Sequence, residues 1–382
     1  MTLDAAIDRR FMAVALSLGA RGQGRCWPNP AVGCVLVQGG RVVGRGWTQP
    51  GGRPHAETQA LARAGAAARG ATAYVTLEPC AHQGRTPPCA DALIAAGVAR
   101  VVVALRDPDP RVDGGGIARL REAGITVEEG VMGREAQYQH GGFLLRVTEG
   151  RPWLTLKLAS SFDGRIATGA GDSQWITGPE ARRQVHADRA RHDAVLVGAG
   201  TARDDDPSLT VRGLGIVPQP VRVVASRRLD LPETGALART AKDIPLWLLH
   251  GADADADRVA RWRARGAQCR SVRFGPDRQL DPLSCLQALG AAGLTRVFCE
   301  GGGSLAAALL SCDLVDELVG YTAGLAIGAE GRPSLGAMGI SALADAPRFV
   351  LAETACIGGD VMHRWRRASL SGEGACAHSP TG

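Results

Sequence analysis

Four residues drawn from three separated segments dominate what this chain can fold into: His55 and Glu57, then Cys80, then Cys89. Each stands at a junction of local patterns. Pro54-His55-Ala56-Glu57 precedes a helix-like run from Thr58 to Ala64, and Glu78-Pro79-Cys80 closes a strand-like run from Thr72 to Leu77. Cys89 opens a second helical run, Ala90 to Ala96. Strand ends and helix starts meet at one edge of an α/β sheet, where backbone N–H dipoles favour thiolate and hydroxide. One His and two Cys supply the nitrogen and sulfur donors that zinc prefers, and three protein ligands leave the fourth tetrahedral corner for water. Glu57, two residues past His55, can reach that water instead of the metal. His55, Cys80 and Cys89 are therefore the expected metal ligands and Glu57 the expected proton carrier.

A zinc ion with this ligand set brings its bound water to a pKa of about 7. The zinc nucleobase deaminases combine the same three ligand types with a non-ligating glutamate, so hydrolytic deamination of an amidine-like ring carbon is the expected chemistry.

At 382 residues two domains are the natural expectation, and 45% hydrophobic residues suffice for two cores. No apolar run approaches the roughly 18 to 20 residues of a membrane helix, and Phe11 to Leu18, preceded by Asp4, Asp8, Arg9 and Arg10, reads as an amphipathic helix and not a signal peptide. Ten cysteines without a regular framework and no export signal point to a reducing cytoplasm. The net charge is +6, and of 44 basic residues only Lys157 and Lys242 are lysine. Such an arginine excess is compositional and no nucleic-acid footprint, while Lys157 stands out as a compact amine where arginine is the default cation. Lys242, in a polar loop, reads as incidental.

In chain order, a helix over residues 3 to 19 leads to a hairpin of Ala31–Val37 and Val42–Trp47. The helix after His55, the strand 72–77, the helix after Cys89 and the strand Arg100 to Leu105 follow. A helix near 115–124 and a strand near Thr126 to Val131 complete a sheet covered on both faces. Gly141-Gly142-Phe143 through Arg151-Pro152 marks the expected seam, which gives domains at 1–147 and 152–367 and a small, polar tail at 368–382 expected to be disordered. Past the seam, strands are expected at 153–158, 193–197, 221–225, 246–249 and 296–299, with helices near 179–191, 254–264, 282–291 and 304–311 between or after them. Phe349–Thr354 and Asp360–Trp365 form a closing hairpin. Glu300-Gly301-Gly302-Gly303-Ser304 follows a strand and opens a helix, which suits phosphate on backbone N–H groups but is no dinucleotide fingerprint.

The usual deaminase spacing is Pro-Cys-x-x-Cys, whereas here eight residues separate Pro79-Cys80 from Cys89. That long loop, with Pro28-Asn29-Pro30-Ala31-Val32-Gly33, resembles the bifunctional riboflavin-biosynthesis deaminase–reductase family. The resemblance implies a three-layer cytidine-deaminase-like domain followed by a dihydrofolate-reductase-like domain. It implies a phosphoribosylamino pyrimidinone as substrate, deaminated in the first half and reduced in the second by NADPH, which turns ribosyl into ribityl. In the first half Asn29 and His82 would touch the pyrimidine, and Arg85 stands where the family often has lysine. Asp107 and Asp109 would lie near the ribose phosphate, although the family commonly has asparagine at the position of Asp109.

The second half resembles the family's reductase at Lys157 to Gly164, Ser173 to Thr177, Thr201 with Asp204 to Arg212, and Glu300 to Ser304. The match implies cofactor contacts from Ala159, Trp175, Thr201, Asp205 and the loop–helix residues Gly302, Gly303, Ser304, Leu305, Ala306, Ala307 and Ala308. It implies substrate contacts from Ser173, Arg189, Leu209, Arg212 and Glu300, with Lys157 polarising or protonating the reducible bond. Arg189 and Arg212 suit a phosphate fork. Taken singly, Trp175 fits a core position, and Asp204 to Asp206 fit a cap or turn. The expected partner is this small molecule, with no nucleic acid and no membrane, and a homo-oligomer is compatible with the sequence. Two other readings stand beside it: a nucleotide or nucleic-acid deaminase with a recognition module, and a deaminase with a non-catalytic second domain. Aromatics at 4% speak against the nucleic-acid version.

Overall fold

A computed structural model describes residues 3–83 and 87–368. It divides into two compact units, Met1–Gly150 and Arg151–Gly382.

The first unit runs α1 (Leu3–Gly19), β1 (Gly33–Gln38), β2 (Arg41–Trp47), α2 (Ala56–Ala64), β3 (Thr72–Val75), α3 (Cys89–Ala96), β4 (Arg100–Val103), α4 (Gly115–Glu122), β5 (Thr126–Glu129) and α5 (Gly133–Thr148). Its sheet has the order β2-β1-β3-β4-β5, with β1 antiparallel to both neighbours and β3, β4 and β5 parallel. Alternation along β1 sends Cys34 and Leu36 into a core with Ala60 of α2, Leu93 of α3 and Ile117 of α4. Val35 and Val37 point the other way, against Phe11, Met12 and Ala15 of α1 and Ala136 of α5. Helices thus cover both faces in three layers. Gly141 and Gly142, read from sequence as part of a seam, are buried inside α5. The helix runs on past them to Thr148 because Phe143 and Leu145 continue its buried stripe.

The second unit runs β6 (Trp153–Ser161), β7 (Arg165–Ala167), α6 (Pro179–Arg189), β8 (Ala194–Gly198), α7 (Ala199–Asp204), β9 (Val221–Ala225), α8 (Ala236–Arg239) and β10 (Leu246–His250). It continues with α9 (Ala256–Ala264), β11 (Gln268–Ser271), α10 (Pro282–Ala291), β12 (Arg296–Cys299), α11 (Gly303–Ser311), β13 (Glu317–Ala323), β14 (Arg332–Pro333), β15 (Phe349–Ile357) and β16 (Asp360–Arg367). The sheet order is β11-β10-β9-β8-β12-β6-β13-β16-β15. It is parallel from β11 to β13, and β16 and β15 add an antiparallel hairpin. Local chemistry sets several boundaries. The Asp255 carboxylate caps α9 by accepting from Asp257 N and Arg258 N, and Asp281 caps α10, whose first residue is Pro282. At the start of β6 the buried Arg151 guanidinium grips Asp316 through Nη1 at 2.8 Å and Nη2 at 3.0 Å, and Asp316 also accepts from Leu154 N. That pairing satisfies both charges away from water.

Candidate active sites

In the first unit the helix that carries His55 and Glu57 lies directly on the sheet. A Cβ at Gly46 would stand 2.2 Å from Ala56 O, and one at Gly44 would stand 2.3 Å from Ala60 O, so only glycines let α2 approach β2 this closely. His55 is the N-cap residue of α2, with extended backbone, and Glu57 lies in the first turn with only 3% exposure. On the other side α3 is built onto Cys80, whose Sγ accepts from Cys89 N at 3.3 Å and whose carbonyl accepts from Ala90 N at 3.2 Å. Three segments therefore converge. His55 Nδ1 stands 3.2 Å from Cys89 Sγ and 3.8 Å from Cys80 Sγ, and the three ligand atoms all lie within 4.8 Å of one another.

Zn–S near 2.3 Å and Zn–N near 2.0–2.1 Å give a tetrahedron with edges of roughly 3.4–3.8 Å; the 3.8 Å separation falls in that range and the 3.2 Å one lies slightly below it. The Cys80 thiol is held down to about 4, chiefly by the hydrogen bond from the Cys89 thiol and then by His55 and the Cys89 N–H. Cys89, donor of that shared proton, is raised correspondingly. Burial pushes Glu57 up to about 7, opposed by the neighbouring His55.

Asn29 lies against Gly52, where a Cβ would fall 1.8 Å from its Nδ2, so this turn is tied to the loop leading into His55. The Nδ1 of His82 is buried and has no hydrogen-bond partner among the described residues. Arg85 lies outside the described residues. Asp109 is buried and engaged by Arg111, whose Nε donates at 2.9 and 3.1 Å and whose Nη2 donates at 2.5 Å. The Arg111 guanidinium holds Asp109 below the usual carboxylate range, so its charge is already matched. Burial raises Asp107 to about 6.

Sequence reading did not single out Glu78. Its Oε1 accepts from Gly116 N at 2.9 Å and Ile117 N at 3.1 Å, and its Oε2 accepts from Gly114 N at 3.0 Å and Asp107 N at 3.3 Å. One carboxylate two residues before Cys80 thus anchors the 107–117 loop and the start of α4. The signal available was a carboxylate beside proline at a strand end, which also fits a solvated turn.

In the second unit β6 supplies Lys157, the end of β12 supplies Glu300 and the end of α6 supplies Arg189. Lys157 Nζ stands 3.9 Å from Glu300 Oε2. Arg189 donates to the same carboxylate through Nε at 2.5 Å and Nη2 at 3.1 Å, and through Nη1 to Thr210 O at 2.8 Å. Its fork is therefore occupied by Glu300, and the open phosphate fork expected of it is not what the structure shows. Arg212 is exposed, and its N–H reaches His186 Nδ1 at 3.3 Å. Burial depresses Lys157, with Glu300 opposing. Arg189 and Lys157 hold Glu300 below its ordinary value against its burial. Beneath these groups Tyr321 Oη donates to Asp188 at 2.7 Å, and Arg364 bridges Asp188 and Glu317 at 3.3 and 2.7 Å.

Thr201 Oγ1 accepts from Gly302 N at 3.1 Å, tying α7 to the loop before α11. That helix starts at Gly302 without a side-chain cap, so its first-turn N–H groups suit a cofactor phosphate. Gly303 and Leu305 are half-buried there and Ser304 is exposed. Trp175 is 67% exposed with the Arg182 guanidinium 4.5 Å over its ring, so it is not the core residue its type suggests. Ser173 and Ala159 are half-buried, Ala159 against the face that packs on α6. Asp205 is the exposed C-cap of α7, and Asp206 accepts from Ala236 N at the start of α8. Leu209 is 2% exposed with φ +55° and its side chain is core, so only its backbone is free to meet a ligand. Ala306 and Ala307 point into protein at 0% and 5% exposure, whereas Ala308 is half-buried.

The fold, the two clusters and the comparisons that follow define a class, a zinc-dependent deaminase joined to an NADPH-dependent reductase. Residues 5–105 match the profile described as the cytidine and deoxycytidylate deaminase zinc-binding region, and residues 152–363 match the RibD C-terminal domain. The riboflavin biosynthesis protein RibD of Escherichia coli is 42% identical over 377 residues, covering 93% of this chain and 98% of the relative. That of Haemophilus influenzae is 41% identical, with 93% and 96% covered. Among solved structures, Acinetobacter baumannii RibD has a TM-score of 0.84 at 38% identity, covering 95% of this chain and 99% of that one. A Thermotoga maritima diaminohydroxyphosphoribosylaminopyrimidine deaminase/5-amino-6-(5-phosphoribosylamino)uracil reductase has 0.83 at 32%, with 96% and 100% covered.

This chain belongs to the RibD family. It is a bifunctional enzyme of riboflavin biosynthesis acting on a small molecule, with a cytidine-deaminase-like and a dihydrofolate-reductase-like domain and with Zn2+ and NADPH as cofactors. It deaminates 2,5-diamino-6-(5-phosphoribosylamino)pyrimidin-4(3H)-one and then reduces the ribosyl side chain, giving 5-amino-6-(5-phosphoribitylamino)uracil. Among the described residues, no helix is long and apolar enough to cross a membrane.

Proposed function

We propose that His55, Cys80 and Cys89 hold the zinc ion, that Glu57 moves protons beside it, and that Lys157 is the acid of the reductase site. The convergence of three ligand atoms within 4.8 Å beside the buried Glu57 carries the first half of this reading. Zinc, when bound, supplies Lewis acidity and an activated water. The Glu57 carboxylate takes a proton from the attacking water and returns it to the departing amino group, so that water and the amidine carbon become a carbonyl and ammonia. Its burial raises its affinity for a proton, which suits that exchange. Asn29 and His82 orient the pyrimidine.

In the reductase NADPH, when bound, would supply hydride for C1 of the opened sugar. Lys157 delivers a proton to the nitrogen of the C1 imine, which becomes the ribitylamine, and its depressed pKa makes it the stronger acid. Glu300 fixes the Lys157 ammonium and Arg189, and Arg212 meets the substrate phosphate. Thr201 and the start of α11 hold a cofactor phosphate, and Trp175 offers its exposed ring.

The enzyme works in the cytoplasm and has no nucleic-acid partner; its mass in solution decides whether it is a homo-oligomer. The test is one incubation of purified protein with the diaminopyrimidine ribotide, following ammonia and NADPH absorbance together. Ammonia release should precede NADPH oxidation, and zinc chelation should stop both. NADPH oxidation without ammonia release would refute the order, and RNA or DNA binding that falls steeply with salt would refute the choice of substrate.

A further inference from the structure

We infer that His186 is a positioning residue for substrate binding in the reductase, holding the backbone from which Arg212 reaches the substrate. This rests on the reading of Arg212 given above. His186 lies on α6 three residues before Arg189, so the two side chains share one face of the helix. From that face both reach the same strand of loop. His186 Nδ1 accepts the Arg212 N–H at 3.3 Å, and Arg189 Nη1 donates to Thr210 O at 2.8 Å.

The far side of the loop is held equally. Gln219 Oε1 accepts from Val211 N at 2.8 Å and its Nε2 donates to Val211 O at 3.2 Å. Leu209 anchors the start of the loop in the core. The backbone of residues 209–212 is thereby fixed from three directions. The exposed Arg212 guanidinium meets no carboxylate among the described residues, which leaves its donors for an anion.

An N–H aimed at Nδ1 requires a lone pair there, so the ring is neutral with its proton on Nε2. Burial, Arg189 and Arg212 push His186 below its ordinary range, outweighing Glu300 and the Thr210 backbone, and so favour the same neutral state. Lone histidines on polar helix faces are common, and nothing in sequence ties His186 to residues 26 positions away.

Replacement separates the acceptor from the ring. In His186→Asn the side-chain oxygen lies as many bonds from Cβ as Nδ1 does, whereas in His186→Gln it lies where Nε2 was. KM for the deaminated ribotide and kcat for NADPH oxidation are measured for His186→Ala, His186→Asn, His186→Gln, Arg212→Ala and the His186→Ala/Arg212→Ala double variant. Ammonia release and NADPH affinity by fluorescence titration are followed on the same proteins. Loss of one hydrogen bond that orders a binding residue corresponds to a rise in KM of about fivefold.

His186→Ala and His186→Gln should show that rise with kcat, NADPH affinity and ammonia release unchanged. His186→Asn should stay near the parent, and the double variant should be no worse than Arg212→Ala. Asn and Gln variants impaired alike, or additive effects in the double variant, would overturn the inference while leaving Arg212 in place. An unchanged KM in Arg212→Ala would instead remove the reading on which it rests. If His186→Ala does not accumulate, the contrast between Asn and Gln still decides.

Discussion

Glu78→Gln probes the link between the metal loop and the rest of the deaminase, because its cost can be worked bond by bond. The carboxylate accepts four backbone N–H groups: Gly116 and Ile117 on one oxygen, Gly114 and Asp107 on the other. Glutamine can keep the first pair with its carbonyl oxygen but turns an NH2 group toward the second pair. Two charge-assisted bonds are lost, one of them already long at 3.3 Å. At roughly 1.5–3 kcal/mol for a good one, the local loss is about 3 kcal/mol. A shift of that size raises the opening equilibrium of the 107–117 segment about a hundredfold. Amide hydrogen exchange reads this directly, since Gly114 and Asp107 should lose protection while the strands keep theirs. Zinc retention should fall in parallel, because Cys80 follows Glu78 by two residues. Exchange at Gly114 unchanged within threefold would refute the assignment of that carboxylate as the anchor.

Three further outcomes are expected. Glu57→Gln keeps zinc by elemental analysis and lowers ammonia release by about two to four orders of magnitude, the range of general acid–base catalysis. Cys89→Ser lowers zinc content and thereby deamination, while the reductase, in the other unit, still consumes pre-deaminated ribotide. Lys157→Ala spares ammonia release and cuts NADPH oxidation about a hundredfold or more, and equal loss of both activities would point to a folding defect instead.

The deaminase site was legible because its chemistry needs rare residue types at element boundaries, and those boundaries carry patterns of their own. Pro54-His55 before an apolar helix, and proline and cysteine at a strand end, localise the proposed ligands without any tertiary information. Glu78 was not legible, since four backbone donors from residues 107–117 become its partners only after folding. Strand β13 was missed for a similar reason. Glu317 opens it, and a buried glutamate looks like a loop until Arg364 and Thr155 are seen to satisfy it. The glycine pair in α5 suggested a break where helix packing overrides propensity. In the reductase, the resemblance marked Arg189 and Leu209 as substrate contacts. Residue type did not carry what the structure adds: the Arg189 fork meets Glu300, and the Leu209 side chain is core.

The most direct test of two independent sites in one chain is to mix two crippled proteins, Glu57→Gln and Lys157→Ala, with the diaminopyrimidine ribotide and NADPH. Glu57→Gln alone should neither release ammonia nor oxidise NADPH, and Lys157→Ala alone should release ammonia only. Together they should carry the substrate through both reactions, consuming one NADPH per ammonia. Failure of the mixture to oxidise NADPH, with each protein folded and metal-loaded as expected, would contradict the assignment of the two reactions to separate sites.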